Sequence, residues 1–250
     1  MTRIILTGAC GKMGNVIQSV VSNKEGCEIV AGVDILNDGK APFPVYENIK
    51  NVKEEADVVV DFSSPALLDG LLSFCKETKT ALVIGTTGFD ECQKNIIKEA
   101  SKDIPVFFTY NMSLGINLLV SLAKKAVQIL GDDFDIEIIE QHHNQKIDAP
   151  SGTALMLADA ISEEFDKPKK YEYDRHSKRE KRTKDEIGIH SIRGGTIVGE
   201  HQILFAGRDE NITLSHSARS KEVFAVGAVN AAIYMTEKEN GMYDMAELIK

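Results

Sequence analysis

The 250 residues carry 29 Lys and Arg against 38 Asp and Glu, a formal net charge of -9, with 43% hydrophobic and 27% charged residues. That length exceeds what one compact core usually holds, so two domains or one large α/β unit is expected and a small disulfide-stapled module is excluded. The acid excess disfavours chain-wide binding to nucleic acid or to a membrane surface and points to small-molecule partners.

No apolar run reads as long enough to span a bilayer, and Ile4, Ile5 and Leu6 are too few for a signal peptide, so a cytoplasmic location is expected. Cys10, Cys27, Cys75 and Cys92 lie apart with no CxxC pair, which predicts reduced thiols and no metal site.

The first third alternates short apolar runs with stretches of helical spacing, the pattern of βαβ units. Strands are expected at Arg3 to Thr7, Glu28 to Val33, Asp57 to Phe62, Ala81 to Gly85 and Pro105 to Thr109, with helices at Lys12 to Asn23, Pro65 to Glu77 and Glu91 to Lys102. A long apolar helix from Leu114 to Leu130 then leads into Phe134 to Gln141, where apolar and acidic residues alternate. A helix at Ala154 to Phe165 precedes strands at Ile187 to Arg193, Thr196 to Phe205 and Asn211 to Ser217, the first two joined through Gly194 and Gly195 as a tight hairpin. Helices at Lys221 to Met235 and Met242 to Ile249 close the chain and are expected to return to the first domain.

The fold class is therefore α/β: a Rossmann-like doubly wound parallel sheet over residues 1–113 and 217–250, with a second α+β domain on a mixed or antiparallel sheet over 114–216. The stretch Lys167 to Glu186 holds nine Lys or Arg against five Asp or Glu and reads as a solvated surface loop, or else as an electrostatic guide for an anionic substrate.

Gly8, Gly11 and Gly14 follow the first strand and open the first helix, where a dinucleotide fold brings backbone close to a pyrophosphate. Asp34, at the end of the second strand, is placed to accept ribose hydroxyl hydrogen bonds. The loops Gly85-Thr86-Thr87-Gly88-Phe89 and Thr109-Tyr110-Asn111-Met112-Ser113 leave carboxyl ends of later strands, the edge at which such sheets bind ligands.

The densest chemistry lies in Glu140 to Ala154. His142, His143 and Lys146 offer a proton donor near neutral pH and a second cation for a carboxylate. Ser151 can cap the next helix and leave the Gly152 and Thr153 amides for a carboxylate, so the segment suits a small dianion. Adjacent histidines face opposite sides of a strand, and no HExxH motif accompanies them, which argues against zinc.

The run from His142-His143 through Lys146 and Asp148-Ala-Pro-Ser-Gly-Thr-Ala154 closely resembles the signature of the bacterial dihydrodipicolinate (4-hydroxy-tetrahydrodipicolinate) reductase family. Gly8-Ala-Cys-Gly-Lys-Met-Gly14, the Gly85 to Phe89 loop, Asn111-Met-Ser-Leu-Gly115 and Ile197-Val-Gly-Glu-His201 extend the match over nearly the whole chain, in family order. The chain departs from the common pattern in carrying Asn144 and Gln145 where members often have basic residues or histidine.

The resemblance implies NAD(P)H-dependent reduction in lysine and diaminopimelate biosynthesis, a nucleotide domain interrupted by a substrate and oligomerisation domain, and a homotetramer. It makes His142 a proton donor or acceptor, Lys146 the proton donor, and His143, Gly152 and Thr153 binders of a small dicarboxylate substrate. It assigns Gly8, Ala9, Cys10, Gly11, Lys12, Met13, Asp34, Gly85, Thr86, Thr87, Thr109, Tyr110, Asn111 and Met112 to the cofactor. Both NADH and NADPH are expected to serve, with NADH preferred because Asp34 repels a ribose phosphate and Ile35 cannot hold one. An amino-acid dehydrogenase of similar plan and a non-catalytic nucleotide sensor are the competing readings.

Overall fold

A computed structural model describes residues 1–37 and 39–249. It falls into two compact units, Met1–Leu114 with Lys221–Lys250, and Gly115–Ser220.

The first unit is built on β1 (Thr2–Thr7), β2 (Cys27–Val33), β3 (Val45–Tyr46), β4 (Val58–Asp61), β5 (Ala81–Ile84), β6 (Pro105–Phe108) and β12 (Gly241–Tyr243), in the spatial order β12-β6-β5-β4-β1-β2-β3. Every pairing in it is parallel. Strands β4 and β5 are apolar almost throughout and buried along their length, as a sheet covered on both faces requires. One face packs against α1 (Lys12–Ser22) and α6 (Glu222–Met235), around Ile17, Val20, Ala228 and Ala232. The other packs against α2 (Leu68–Thr78) and α3 (Glu91–Ala100), around Leu71, Leu72, Cys75 and Ile97. Asp90 caps α3 with a full capping box through Gln93.

The second unit holds α4 (Leu114–Leu130), β7 (Asp135–His142), α5 (Gly152–Ser162), β8 (Lys170–Glu172), β9 (Glu186–Arg193), β10 (Gly199–Ala206) and β11 (Asn211–Ala218). Its mixed sheet runs β11-β10-β7-β9-β8. Residues of β7 alternate strictly, with Ile136, Ile138, Glu140 and His142 buried and their neighbours half-buried. The buried face meets Ile116, Leu119, Ala123 and Val127 of α4 and Leu157 and Ile161 of α5.

Four expectations are corrected. Strands β9 and β10 do not form a hairpin: β7 lies between them, parallel to β9 and antiparallel to β10. Two glycines in sequence supply a turn, but they do not fix which strand pairs across it, and β7 takes a full register with both. The closing segment is β12 followed by the short helix α7 (Met245–Leu248), not one helix from Met242, and the strands β3 and β8 are additional. The run Lys167 to Glu186 is bound down rather than only solvated: Arg182 donates to Asp135, Glu137 and the Ile136 carbonyl, and Arg175 pairs with Glu186 at 2.5 Å. Finally, one helical segment, Leu114–Asp133, is long and apolar enough by length and composition to cross a bilayer. Its buried positions fall on one stripe against the sheet, and Lys124 reaches Glu163 across the unit at 3.0 Å, as in a core-facing helix.

Candidate functional site

The carboxyl edge of the seven-stranded sheet gathers the loops that follow β1, β4, β5 and β6. Gly8 has φ +70, and a Cβ there would stand 2.2 Å from the Phe62 carbonyl oxygen. A Cβ on Gly14 would stand 2.2 Å from the carbonyl oxygens of both Gly8 and Ala9. Neither position admits a side chain, so β1 can turn directly into α1 with its backbone close to β4. Gly11 is exposed and meets only the Gly8 carbonyl, and Lys12 beside it is also exposed. Ala9 is buried and Met13 half-buried, packing against the core.

Asp34 is tied to this loop: its Oδ2 accepts the Cys10 amide at 2.9 Å and its Oδ1 accepts the Leu36 amide at 2.9 Å. A carboxylate has further lone pairs, so these two amides leave it able to accept more hydrogen bonds. Behind the edge lies Asp61, 1% exposed, which collects the hydroxyls of Thr7 and Ser63. Burial pushes its pKa up, against the hydrogen bonds from Ser63, Thr7 and Thr86. Thr86 is buried and accepts the Ser63 amide at 2.8 Å, so its hydroxyl fastens the loop, while Thr87 is exposed. Gly85 packs on the Phe62 ring, with a Cβ site 2.2 Å from it.

After β6, the Thr109 hydroxyl and Asn111 bond locally, and Asn111 Oδ1 accepts the Ser113 amide at 2.8 Å. Met112 is buried with its carbonyl against Gly227, whereas Tyr110 is exposed. This edge, with its glycine turn at a helix start and an acid just past β2, fits a dinucleotide.

In the second unit the polar residues collect at one end of the sheet's covered face. Glu140, His142, Arg193 and His201 come from three neighbouring strands: Arg193 is opposite His142 and His201 is opposite Glu140. Glu140 is 0% exposed, and His142, 9% exposed, meets it through Nδ1 at 2.6 Å. Arg193 donates to both Glu140 oxygens, at 2.7 and 2.8 Å, and to the Asp148 carbonyl at 2.6 Å. Burial raises the Glu140 pKa, but hydrogen bonds from Arg193, His142 and Ser191 outweigh it and hold the group at about 2.

Lys146 pairs with Asp148 at 2.9 Å, and its amide donates to the His143 carbonyl. Through Asp148 it joins the Arg193 network. His143, half-buried, lies just past the end of β7. Ser151 caps α5 by accepting the Ala154 amide, and its Oγ lies 3.1 Å from His201 Nε2. Gly152 opens the first turn, with nothing within 4 Å of its Cβ site, and Thr153 follows it. A helix N-terminus open to backbone approach has the geometry and dipole to take an anion.

Ser191 and Arg193 were not singled out by the sequence, and Glu140, Gly199 and His201 stood in quoted segments without a role of their own. Glu140 had a legible signal, an acid two positions before His142 on an alternating strand and so on the same face. Arg193 had none, and the motif holding His201 did not place it beside Glu140; sheet register does both. No group of three or more His, Cys, Asp or Glu placed to hold a metal occurs among the described residues. Cys10, Cys27, Cys75 and Cys92 are in no disulfide among the described residues.

A doubly wound parallel sheet with a glycine turn at its carboxyl edge, joined to a mixed-sheet unit with a polar His, Glu and Arg cluster, is the plan of a two-unit oxidoreductase of the pyridine-nucleotide class. Residues 2–112 match the family described as "Dihydrodipicolinate reductase, N-terminus", and residues 115–249 match "Dihydrodipicolinate reductase, C-terminus". A 4-hydroxy-tetrahydrodipicolinate reductase from Caldanaerobacter subterraneus subsp. tengcongensis is 50% identical over 250 residues, covering 100% of this chain and 99% of that protein. The dipicolinate-bound dihydrodipicolinate reductase from Paenisporosarcina sp. TG-14 superposes with a TM-score of 0.82 at 29% identity, covering 100% of both chains. Aspartate dehydrogenase from Thermotoga maritima, at 13% identity and a TM-score of 0.56 over 96% of this chain and 98% of that one, shares the fold alone. The chain belongs to the dihydrodipicolinate reductase family.

Proposed function

We propose that this chain uses NAD(P)H to reduce 4-hydroxy-tetrahydrodipicolinate to tetrahydrodipicolinate, a step of lysine and diaminopimelate biosynthesis in the cytoplasm. The observation that carries the reading is the His142–Lys146 segment leading into the open N-terminus of α5, in a chain whose two halves both match the family.

The bound nicotinamide supplies a hydride. Gly8 to Met13 and Asp34 hold the dinucleotide, with Gly85 to Thr87 and Thr109 to Met112 beside its nicotinamide end. The Gly152 and Thr153 amides take one substrate carboxylate at the positive end of α5, and His143 assists with the anion. Loss of water puts a proton on the leaving hydroxide and releases one from the neighbouring ring carbon, and hydride uptake by the resulting conjugated imine leaves negative charge that takes up one further proton. His142 passes the ring proton to the leaving hydroxide and Lys146 delivers the final one. The ion pair with Asp148, at 2.9 Å, holds the Lys146 ammonium in place until the dianion arrives. In steady-state assays, pyridine-2,6-dicarboxylate is expected to compete with the imine and not with the nucleotide. Competition with the nucleotide alone would contradict this placement.

Both nicotinamide cofactors serve, with NADH ahead. Asp34 disfavours a ribose phosphate, and the exposed Ile35 after it has no donor to hold one. Lys12, exposed in the glycine loop, keeps NADPH usable. The specificity constant for NADH is expected to exceed that for NADPH by up to about tenfold; a higher value for NADPH would overturn the preference.

A further inference from the structure

Glu140 accepts four hydrogen bonds. Its Oε1 takes Arg193 at 2.7 Å and the Ser151 amide at 3.1 Å; its Oε2 takes Arg193 at 2.8 Å and His142 Nδ1 at 2.6 Å. The side chain is fully buried, so the cost of removing the charge from water is offset by these donors together with Ser191. An ionised carboxylate accepts and cannot donate, so the histidine nitrogen that meets it must carry a proton. The remaining nitrogen, Nε2, lies beside Gly199, where a Cβ would come within 3.2 Å of it. The His201 ring stands edge-on at 5.3 Å.

We propose that Glu140 is a positioning residue that keeps the His142 proton on Nδ1 and presents Nε2 as the nitrogen that exchanges protons with substrate. Arg193 braces the carboxylate, and Gly199 keeps the space beside Nε2 clear. The proposal rests on the reductase reading for what His142 does, but not for how its ring is held. An acid two positions back on the same strand fixes the tautomer and removes the search over ring orientations. Ser151 links this device to the carboxylate site, because the residue whose amide Glu140 holds also caps α5.

The test uses the full-length protein. Nitrogen-15 NMR of the ligand-free wild type, titrated until the His142 ring is neutral, is expected to show Nδ1 protonated and Nε2 bare. Glu140→Gln cannot accept all four bonds and is expected to mix the tautomers. Its kcat should fall by about tenfold or more while the KM for the imine and the affinity for pyridine-2,6-dicarboxylate stay within about twofold. Gly199→Ala, which leaves the Glu140 cluster intact, is expected to lower kcat by crowding Nε2. A neutral wild-type ring protonated on Nε2, or an unchanged kcat in both variants, would overturn the proposal. If Glu140→Gln does not fold, the wild-type spectrum and Gly199→Ala decide it. A wild-type chain that leaves the imine unreduced would overturn the reductase reading instead, and the tautomer would still be read.

Discussion

His201 and Glu140 sit side by side in the same cluster and respond to acid in different ranges. Burial, then the neighbouring His142, push the His201 pKa down to about 4 from its usual 6.5. The unfolded chain therefore holds that proton more tightly, and stability declines as the pH falls from 6.5 towards 4. The gap corresponds to on the order of 3 kcal/mol. Glu140 acts lower: its contribution is complete above its ordinary 4.5 and is lost as the pH falls through about 2. Replacing His201→Asn is expected to flatten the decline between pH 6.5 and 4 in denaturant melts while leaving the lower limb in place. A slope identical to wild type would show that His201 is not the group responsible. Lys146 belongs to the same scale: Lys146→Ala should lower kcat by ~100-fold or more with little change in nucleotide affinity, since a proton donor and not a nucleotide contact is lost. An unchanged turnover number would remove it from the mechanism.

Among the elements, the glycine turn between β1 and α1 makes the sharpest prediction. Gly8 and Gly26 have similar positive φ, +70 and +86, but only Gly8 has backbone where a Cβ would go. Gly26→Ala therefore carries the left-handed strain alone, about 1 to 2 kcal/mol, whereas Gly8→Ala must also push β1 from the Phe62 carbonyl. Thermal melts and nucleotide titration of the pair should find Gly8→Ala the less stable and the weaker binder; equal losses would mean the close approach is not essential. The same elements show what a sequence can disclose. The parallel strands were legible because β4 and β5 are short continuous apolar runs, and α4 because its apolar spacing persists over 17 residues. Strands β3, β8 and β12, of two or three residues, carry too little pattern to register against their loops. The false hairpin arose because Gly194 and Gly195 describe a turn but not the strand that enters between its arms. Likewise His142, Lys146 and Ser151 were readable from one contiguous segment, while Arg193 and His201 reach the cluster only through register with β7.

At the scale of the whole molecule, the five-stranded sheet buries one face under α4 and α5. Its other face presents Ile139 and Leu204 half-buried and Ile192 exposed. We propose this face as the surface on which copies assemble into a homotetramer. Light scattering is expected to return four times the chain mass, and Leu204→Glu to lower it; a monomeric wild type would contradict the assembly. The chemistry itself is tested most directly by following nicotinamide absorbance with the cyclic imine made in situ from pyruvate and aspartate semialdehyde. The account predicts rapid NADH oxidation that requires the imine and is not supported by oxaloacetate with ammonia. No oxidation with the imine, or oxidation with the keto acid and ammonia alone, would contradict it.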